Sequence, residues 1–196
     1  LLEITIKRGQ GMAKLARWLK RLMILAILFL GSFLIFAPAL VEKSRNRVVA
    51  HAPYPVSAEA RALHDSLTIG DLHADPLLWR RDLTERGSRG QVDIPRLIEG
   101  NVTLQVFTAV TKSPAGQNYD HNDTEARDNI TLLAMGQLWP LPTWDSLYER
   151  ALYQAQKLHR FQERSDGQLR IIRTEADLDA LLARKAAGEQ VVGGLL

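Results

Sequence analysis

Leu67-Thr68-Ile69-Gly70-Asp71-Leu72 runs directly into His73-Ala74-Asp75-Pro76. The first six residues have the length and apolar character of a short buried strand. Pro76 has no N–H to give to a ladder, so pairing stops there. Residues two apart on a strand point to one face, so His73 and Asp75 can bring an imidazole and a carboxylate to one cation. Taken alone, His-x-Asp is a common chance pattern. Its place at the C-terminal end of a strand gives it weight, because parallel barrels carry their chemistry on that rim.

Downstream the pattern alternates. A helical turn over Ile94–Glu99 is closed by Gly100, and residues 102–108 (Val-Thr-Leu-Gln-Val-Phe-Thr) read as a second strand. Residues 124–138 are compatible with a helix. Residues 143–164 form a stronger one, with Thr143 as expected N-cap and Leu147, Ala151, Ala155 and Leu158 at helical spacing. Residues 169–172 read as a short strand, Thr174 opens a helix through Lys185, and residues 190–196 start another apolar strand. Strands separated by helices imply an α/β fold with a parallel sheet. A (β/α)₈ TIM-type barrel takes about 250 residues. Residues 58–196 are therefore expected to be the N-terminal part of such a barrel, cut off inside it.

Upstream lies a segment of another kind. Residues 22–41 carry no charge, a length that as a helix crosses a hydrocarbon core of about 30 Å. Lys7, Arg8, Lys14, Arg17, Lys20 and Arg21 precede it, and Lys43, Arg45 and Arg47 follow. The asymmetry favours one transmembrane helix with residues 1–21 as a basic cytoplasmic N-terminus and the body outside, periplasmic or extracellular. Ala37-Pro38-Ala39 has the small-x-small form of a signal-peptidase site, but the apolar run exceeds the about 7–15 residues of a signal core. An uncleaved anchor is the favoured reading, followed by a linker over 42–57. Met12-Ala13-Lys14 reads as a natural start, with residues 1–11 as an upstream extension.

Composition narrows the chemistry. Nine of the 25 Lys and Arg fall in residues 1–49 against two acidic residues, leaving 16 basic and 20 acidic residues in 50–196. The body is thus slightly acidic and carries no basic stripe, which speaks against nucleic acid as a partner. The chain has no cysteine, so disulfides, thiolate metal sites and a cysteine nucleophile are excluded, and any metal is held by His and carboxylates.

Asp71-Leu72-His73-Ala74-Asp75 resembles the Asp-x-His-x-Asp signature of the membrane (renal) dipeptidase family. The block from Gln91 to Gly100 (Gln-Val-Asp-Ile-Pro-Arg-Leu-Ile-Glu-Gly), followed by Gln105-Val106-Phe107, looks like that family's next block. The two blocks have the family's order and spacing, and the likeness covers residues 58–196. It implies a zinc-dependent hydrolase of dipeptides on a (β/α)₈ barrel, with two zinc ions (Zn2+) bridged by a glutamate. His73 and Asp75 would bind one of them. In the family the bridging glutamate follows the strand that begins here near Gln190, and the two His ligands of the second zinc lie farther on, so both are expected beyond Leu196. Glu189 precedes that strand and is read as a solvated loop charge. With two ligands, residues 1–196 are expected to be inactive alone. The partners implied are a dipeptide substrate and the membrane, and a homodimer is compatible with the likeness.

Two other readings stay open. Amidohydrolase-type barrels usually open with His-x-His, against which Asp75 stands, and a membrane-tethered binding protein needs no catalysis. His51, His64, His121 and His159 lack a carboxylate or second His at ligand spacing on a strand and are read as surface or capping residues. Trp139 and Trp144, around Pro140 and Pro142, either line a substrate mouth or, more commonly for such residues, fill core between helices.

Overall fold

The structure is a computed structural model that describes residues 2–196, with side chains described at residue 12 and from residue 14 on. Helix α1 (Leu2–Arg45) contains the whole charge-free run. It extends beyond that run on both sides, so the basic flank and the first residues of the expected linker are helical too. Leu1 and the side chains of Lys7 and Arg8 lie outside the described residues. Ile24, Phe29, Phe33, Ile35 and Phe36 are all exposed. A helix apolar all round belongs in a core or in hydrocarbon. Only 6% of the apolar window of α1 is buried in the protein, so a core role is ruled out, and the helix is long and apolar enough to cross a membrane.

The body begins with α2 (Ala58–Ser66), whose first turn is capped by Ser57 Oγ accepting the Ala60 N–H at 3.2 Å. It then alternates through β1 (Ile69–Ala74), α3 (Ile94–Glu99), β2 (Val102–Phe107), α4 (Asn129–Gly136), α5 (Leu147–Arg164), β3 (Leu169–Ile171), α6 (Glu175–Ala186) and β4 (Val192–Leu195). The four strands form one parallel sheet in the order β1-β2-β4-β3. The class is mixed α/β, as expected. The order departs from the strictly sequential one of a (β/α)₈ barrel, because β4 sits between β2 and β3. With three residues, β3 offers few ladder bonds and occupies the edge, where one neighbour suffices.

Helices cover both faces of the sheet. On one face Phe107, Leu169 and Val192 pack with Leu97 of α3, Leu158 and Phe161 of α5, and Leu77. On the other, Val191, Ile172, Leu104 and Leu195 meet Leu178 and Leu181 of α6. Alternation along β4 fixes Gly193 and Gly194 between these layers. A Cβ on Gly193 would stand 2.5 Å from Leu181 Cδ2 and 2.9 Å from Leu104 Cδ1, and one on Gly194 would stand 3.1 Å from Phe107 Cε2. The tandem glycine lets both layers close on the strand.

Two expected helix starts move. Only Asn129–Gly136 of the 124–138 stretch is helical, because Asp123 and Asp128 turn the chain with side-chain acceptors at Glu125 N and Ile130 N. Thr143 caps nothing. It lies buried in a 3₁₀ turn (Leu141–Trp144), with its hydroxyl donating to Pro140 O at 2.7 Å, and Ser146 caps α5 instead.

Behind that turn, Arg150 is buried, and all its N–H groups are used. Nε donates to Thr143 O at 2.6 Å, Nη1 to Thr111 O at 2.7 Å and to Asp128, and Nη2 to Thr131 Oγ1 and Trp144 O, both at 2.8 Å. Burial by itself raises the Asp128 carboxyl. The Ser113 N–H, the Arg150 guanidinium, the Ile130 N–H and the Thr131 hydroxyl outweigh it and hold Asp128 at about 2.

Two outcomes are expected. Gly193→Ala should cost about 1–3 kcal/mol by overpacking, read as a lower midpoint in denaturant unfolding. Arg150→Met leaves Asp128 without its cation and should cost about 3–5 kcal/mol. For Asp128 the folded value lies below its ordinary 3.8, so its stabilisation is complete above that value and is lost as pH falls through about 2. Acid unfolding of Arg150→Met should accordingly lose part of the wild-type slope below pH 4.

Candidate metal site at the strand ends

His73 and Asp75 meet at the C-terminal end of β1, with His73 Nε2 3.6 Å from Asp75 Oδ2. Both are open to solvent, their side chains 73% and 42% exposed, so an ion or substrate can reach them. The route to this geometry differs from simple alternation. Asp71 pairs with Gln105 and Ala74 with Phe107, so β1 takes three steps where β2 takes two, and Leu72-His73 forms an irregular bulge. The freed His73 N–H turns to Asp71 Oδ1 at 3.2 Å. Asp75 lies past the strand, at φ −105° and ψ 36°, opening a 3₁₀ turn (Pro76–Leu78) that brings its carboxylate back towards the imidazole.

Thr108, one residue past β2, fixes that carboxylate. Its N–H donates to Ala74 O at 2.8 Å, and its hydroxyl lies within reach of both Ala74 O and Asp75 Oδ1. A hydroxyl has one proton, and the carbonyl is already served by the N–H, so the proton goes to Asp75 Oδ1. Oδ2 is left free to face His73. No sequence motif singled out Thr108, because its partner is 33 residues away. The one available signal was its place one residue beyond a strand that neighbours β1.

Lys157 of α5 supports the turn from behind. Its ammonium, largely buried, donates to Leu77 O and Trp79 O, both at 2.6 Å, so the chain just after Asp75 is bonded to a central helix. Burial, with the Arg160 and Arg81 charges, pulls Lys157 down to about 7 against the opposing pull of Glu42. Gln154 clamps the chain after Thr108, its amide exchanging hydrogen bonds with Val110 N and O at 3.2 and 3.0 Å.

Asp75 opens onto a cleft of about 320 Å³ shared with Pro76, Trp79, Arg81, Gln91 and Asn46, the last one residue beyond α1. A larger cleft, about 530 Å³, lies among Thr68, Asn101, Thr103, Lys185 and Gln190 at the opposite ends of the strands, away from the His73–Asp75 pair. His51, His64, His121 and His159 are exposed. Trp139 is buried with Leu78, Ile130 and Ala134, and Trp144 packs against that group with its indole N–H on Trp139 O at 3.0 Å. Trp139 is a core residue, and Trp144, half-buried, packs at its edge.

The donors suit one cation in kind and reach, a nitrogen and a carboxylate oxygen facing each other. Among the described residues no group of three or more His, Cys, Asp or Glu stands together to hold a metal. The pair alone is therefore one donor short of the usual three in a hydrolytic zinc site. No protein-family model matches the chain, and neither the curated proteins nor the solved structures yield a match.

If His73 and Asp75 take up zinc, Thr108→Val should weaken binding about tenfold by releasing the carboxylate, whereas Thr108→Ser keeps the donor and the affinity. Competition against a chromophoric chelator reads this directly. Equal affinities in all three proteins would remove Thr108 from the site.

Proposed function

We propose that this chain belongs to a membrane-anchored, zinc-dependent dipeptidase of the membrane dipeptidase type, with its site on the rim of the parallel sheet and its body on the outer side of the membrane. The observation that carries the reading is the His73–Asp75 pair, 3.6 Å apart and solvent-accessible at the C-terminal end of a parallel strand. That rim is where parallel α/β sheets bind ligands. The likeness of residues 71–75, 91–100 and 105–107 to the family's signature blocks supplies the substrate class. The apolar α1 and its basic flank support the anchoring and its direction.

On this reading His73 and Asp75 hold zinc, and the metal supplies Lewis acidity toward a dipeptide carbonyl and a lowered pKa for water. Thr108 orients Asp75, the Asp71 carboxylate holds the bulge that presents His73, and Lys157 fixes the turn that follows. The accessible cleft beside Asp75, lined by Trp79 and Gln91, offers an aromatic ring and an amide to a small substrate.

Protein purified from its native membrane should hydrolyse a panel of small dipeptides with zinc, lose activity with chelator, and lose it in His73→Ala and Asp75→Ala. Residues 1–196 expressed alone should bind zinc weakly and hydrolyse nothing, because two protein donors fall short of the three such centres use. Metal-independent hydrolysis, or activity untouched by both substitutions, would overturn the proposal.

A further inference from the structure

The body contains one long stretch without a charge. Residues 129–144 read Asn-Ile-Thr-Leu-Leu-Ala-Met-Gly-Gln-Leu-Trp-Pro-Leu-Pro-Thr-Trp, the longest uncharged run outside α1. They form α4 and the 3₁₀ turn that packs against it. Ile130, Ala134 and Trp139 point inward to the core. Leu132, Leu138 and Leu141 point outward and are 56%, 59% and 70% exposed, which leaves an apolar surface that the fold itself does not cover.

This surface adjoins the anchor. Leu132, Leu133 and Gly136 of α4 face Phe33, Ala37, Pro38 and Val41 of α1 across an apolar groove of about 250 Å³. All four α1 residues belong to the charge-free run that ends at Val41. Phe33 lies eight residues before Val41, about 12 Å along the axis at 1.5 Å per residue. When α1 crosses a bilayer, α4 therefore stands beside the outer edge of the hydrocarbon.

The body is held in that position. At the next residue after the run, Glu42 is buried between two guanidinium groups, with Arg81 Nε at 2.8 Å from Oε1 and Arg89 Nη2 at 3.2 Å from Oε2. The Gly90 N–H donates to Asn46 O at 3.1 Å, and Gln91 Nε2 reaches Arg47 O at 3.5 Å. Gly90 has φ +71°, and a Cβ there would stand 2.0 Å from Arg81 Nη1, so the loop and the guanidinium are fitted to each other. The body cannot swing away from the helix end without separating these charges.

We infer that residues 129–144 are a lipid-contacting surface. The body lies against the bilayer beside its own anchor, Leu132, Leu138 and Leu141 enter the boundary between headgroups and acyl chains, and an acyl chain fills the groove between α1 and α4. The lipid is the occupant because one wall of the groove is the membrane helix itself. Lys43, Arg45 and Arg47, exposed at the same level, suit lipid phosphates. The inference rests on α1 crossing a membrane and not on the chemistry of His73 and Asp75.

The absence of cysteine allows a clean test. Leu132→Cys, Leu138→Cys and Leu141→Cys, each carrying one bimane label, are placed as full chains in phosphatidylcholine nanodiscs with and without lipid bearing a nitroxide near the headgroup end of its chain. Tyr119→Cys, at a fully exposed position, is the water reference, and Leu28→Cys, within the apolar run, is the membrane reference. The three test positions are expected to be quenched at least about twofold more than Tyr119, as for an apolar face lying in the interface. Glu42→Gln is expected to reduce quenching at Leu132 while Leu28 stays quenched. Quenching at the level of Tyr119, with Leu28 quenched, would overturn the inference. So would disulfide-linked dimers of the unlabelled Leu132→Cys protein under a mild oxidant, with no quenching of the labelled one, which would assign the face to a second copy. Loss of quenching at Leu28 as well would overturn it together with the membrane reading of α1.

Discussion

A guanidinium out of water has five N–H donors to satisfy, and at Arg150 they find acceptors on three separate stretches of chain. Thr111 belongs to the long loop after β2, Asp128 and Thr131 to the start of α4, and Thr143 and Trp144 to the turn before α5. They are positioned because a buried charge tolerates no missing partner. Placing Arg150 on α5, whose Leu158 and Phe161 also pack on the sheet, ties about twenty irregular residues to the regular core. Gln154 and Lys157, one and two turns farther along the same helix, do the same for Val110 and for the turn after Asp75.

The elements that could be read from the sequence are those whose determinants are local. The start of the helix at Thr174 and the apolar alternation of 102–107 depend on residues within a few positions of one another, and the corresponding elements form where expected. Thr143 shows the limit. It is a good cap by type, but Pro140 and Pro142 hold it in a tighter turn, and the choice of Ser146 is made by tertiary packing. The strand order was not legible either. It depends on how Gly193 and Gly194 admit Leu181 and Phe107 from opposite faces, a fit between residues many positions apart.

At the candidate site, residue types were legible and their arrangement was not. His73 and Asp75 were identified by spacing, yet they converge through a bulge and a 3₁₀ turn that period-two reasoning does not contain. Thr108, Gln154 and Lys157 act on the site from 33, 44 and 80 residues away, counted to their partners Asp75, Val110 and Leu77, so no motif could have named them. The rim is ordered mainly by neutral donors and carbonyl acceptors. That leaves the exposed His73–Asp75 pair as the chemically distinctive feature of this rim; a second exposed pair among the described residues, His64–Asp65, stands at the end of α2.

Glu42 changes what the first helix is. A signal sequence or a simple tether can be discarded without consequence for the domain it delivers, because nothing in that domain depends on it. Here Arg81 is sheltered from water, and Glu42 of the helix faces it as counter-ion. Processing after Ala39 would make Glu42 the third residue of a new, fraying end and remove Pro38 from its seat against α4. A released body would carry a poorly compensated cation next to the cleft that holds Asp75, since Arg81 and Asn46 line that same cleft. Shedding would then cost the body an ion pair that it is built around.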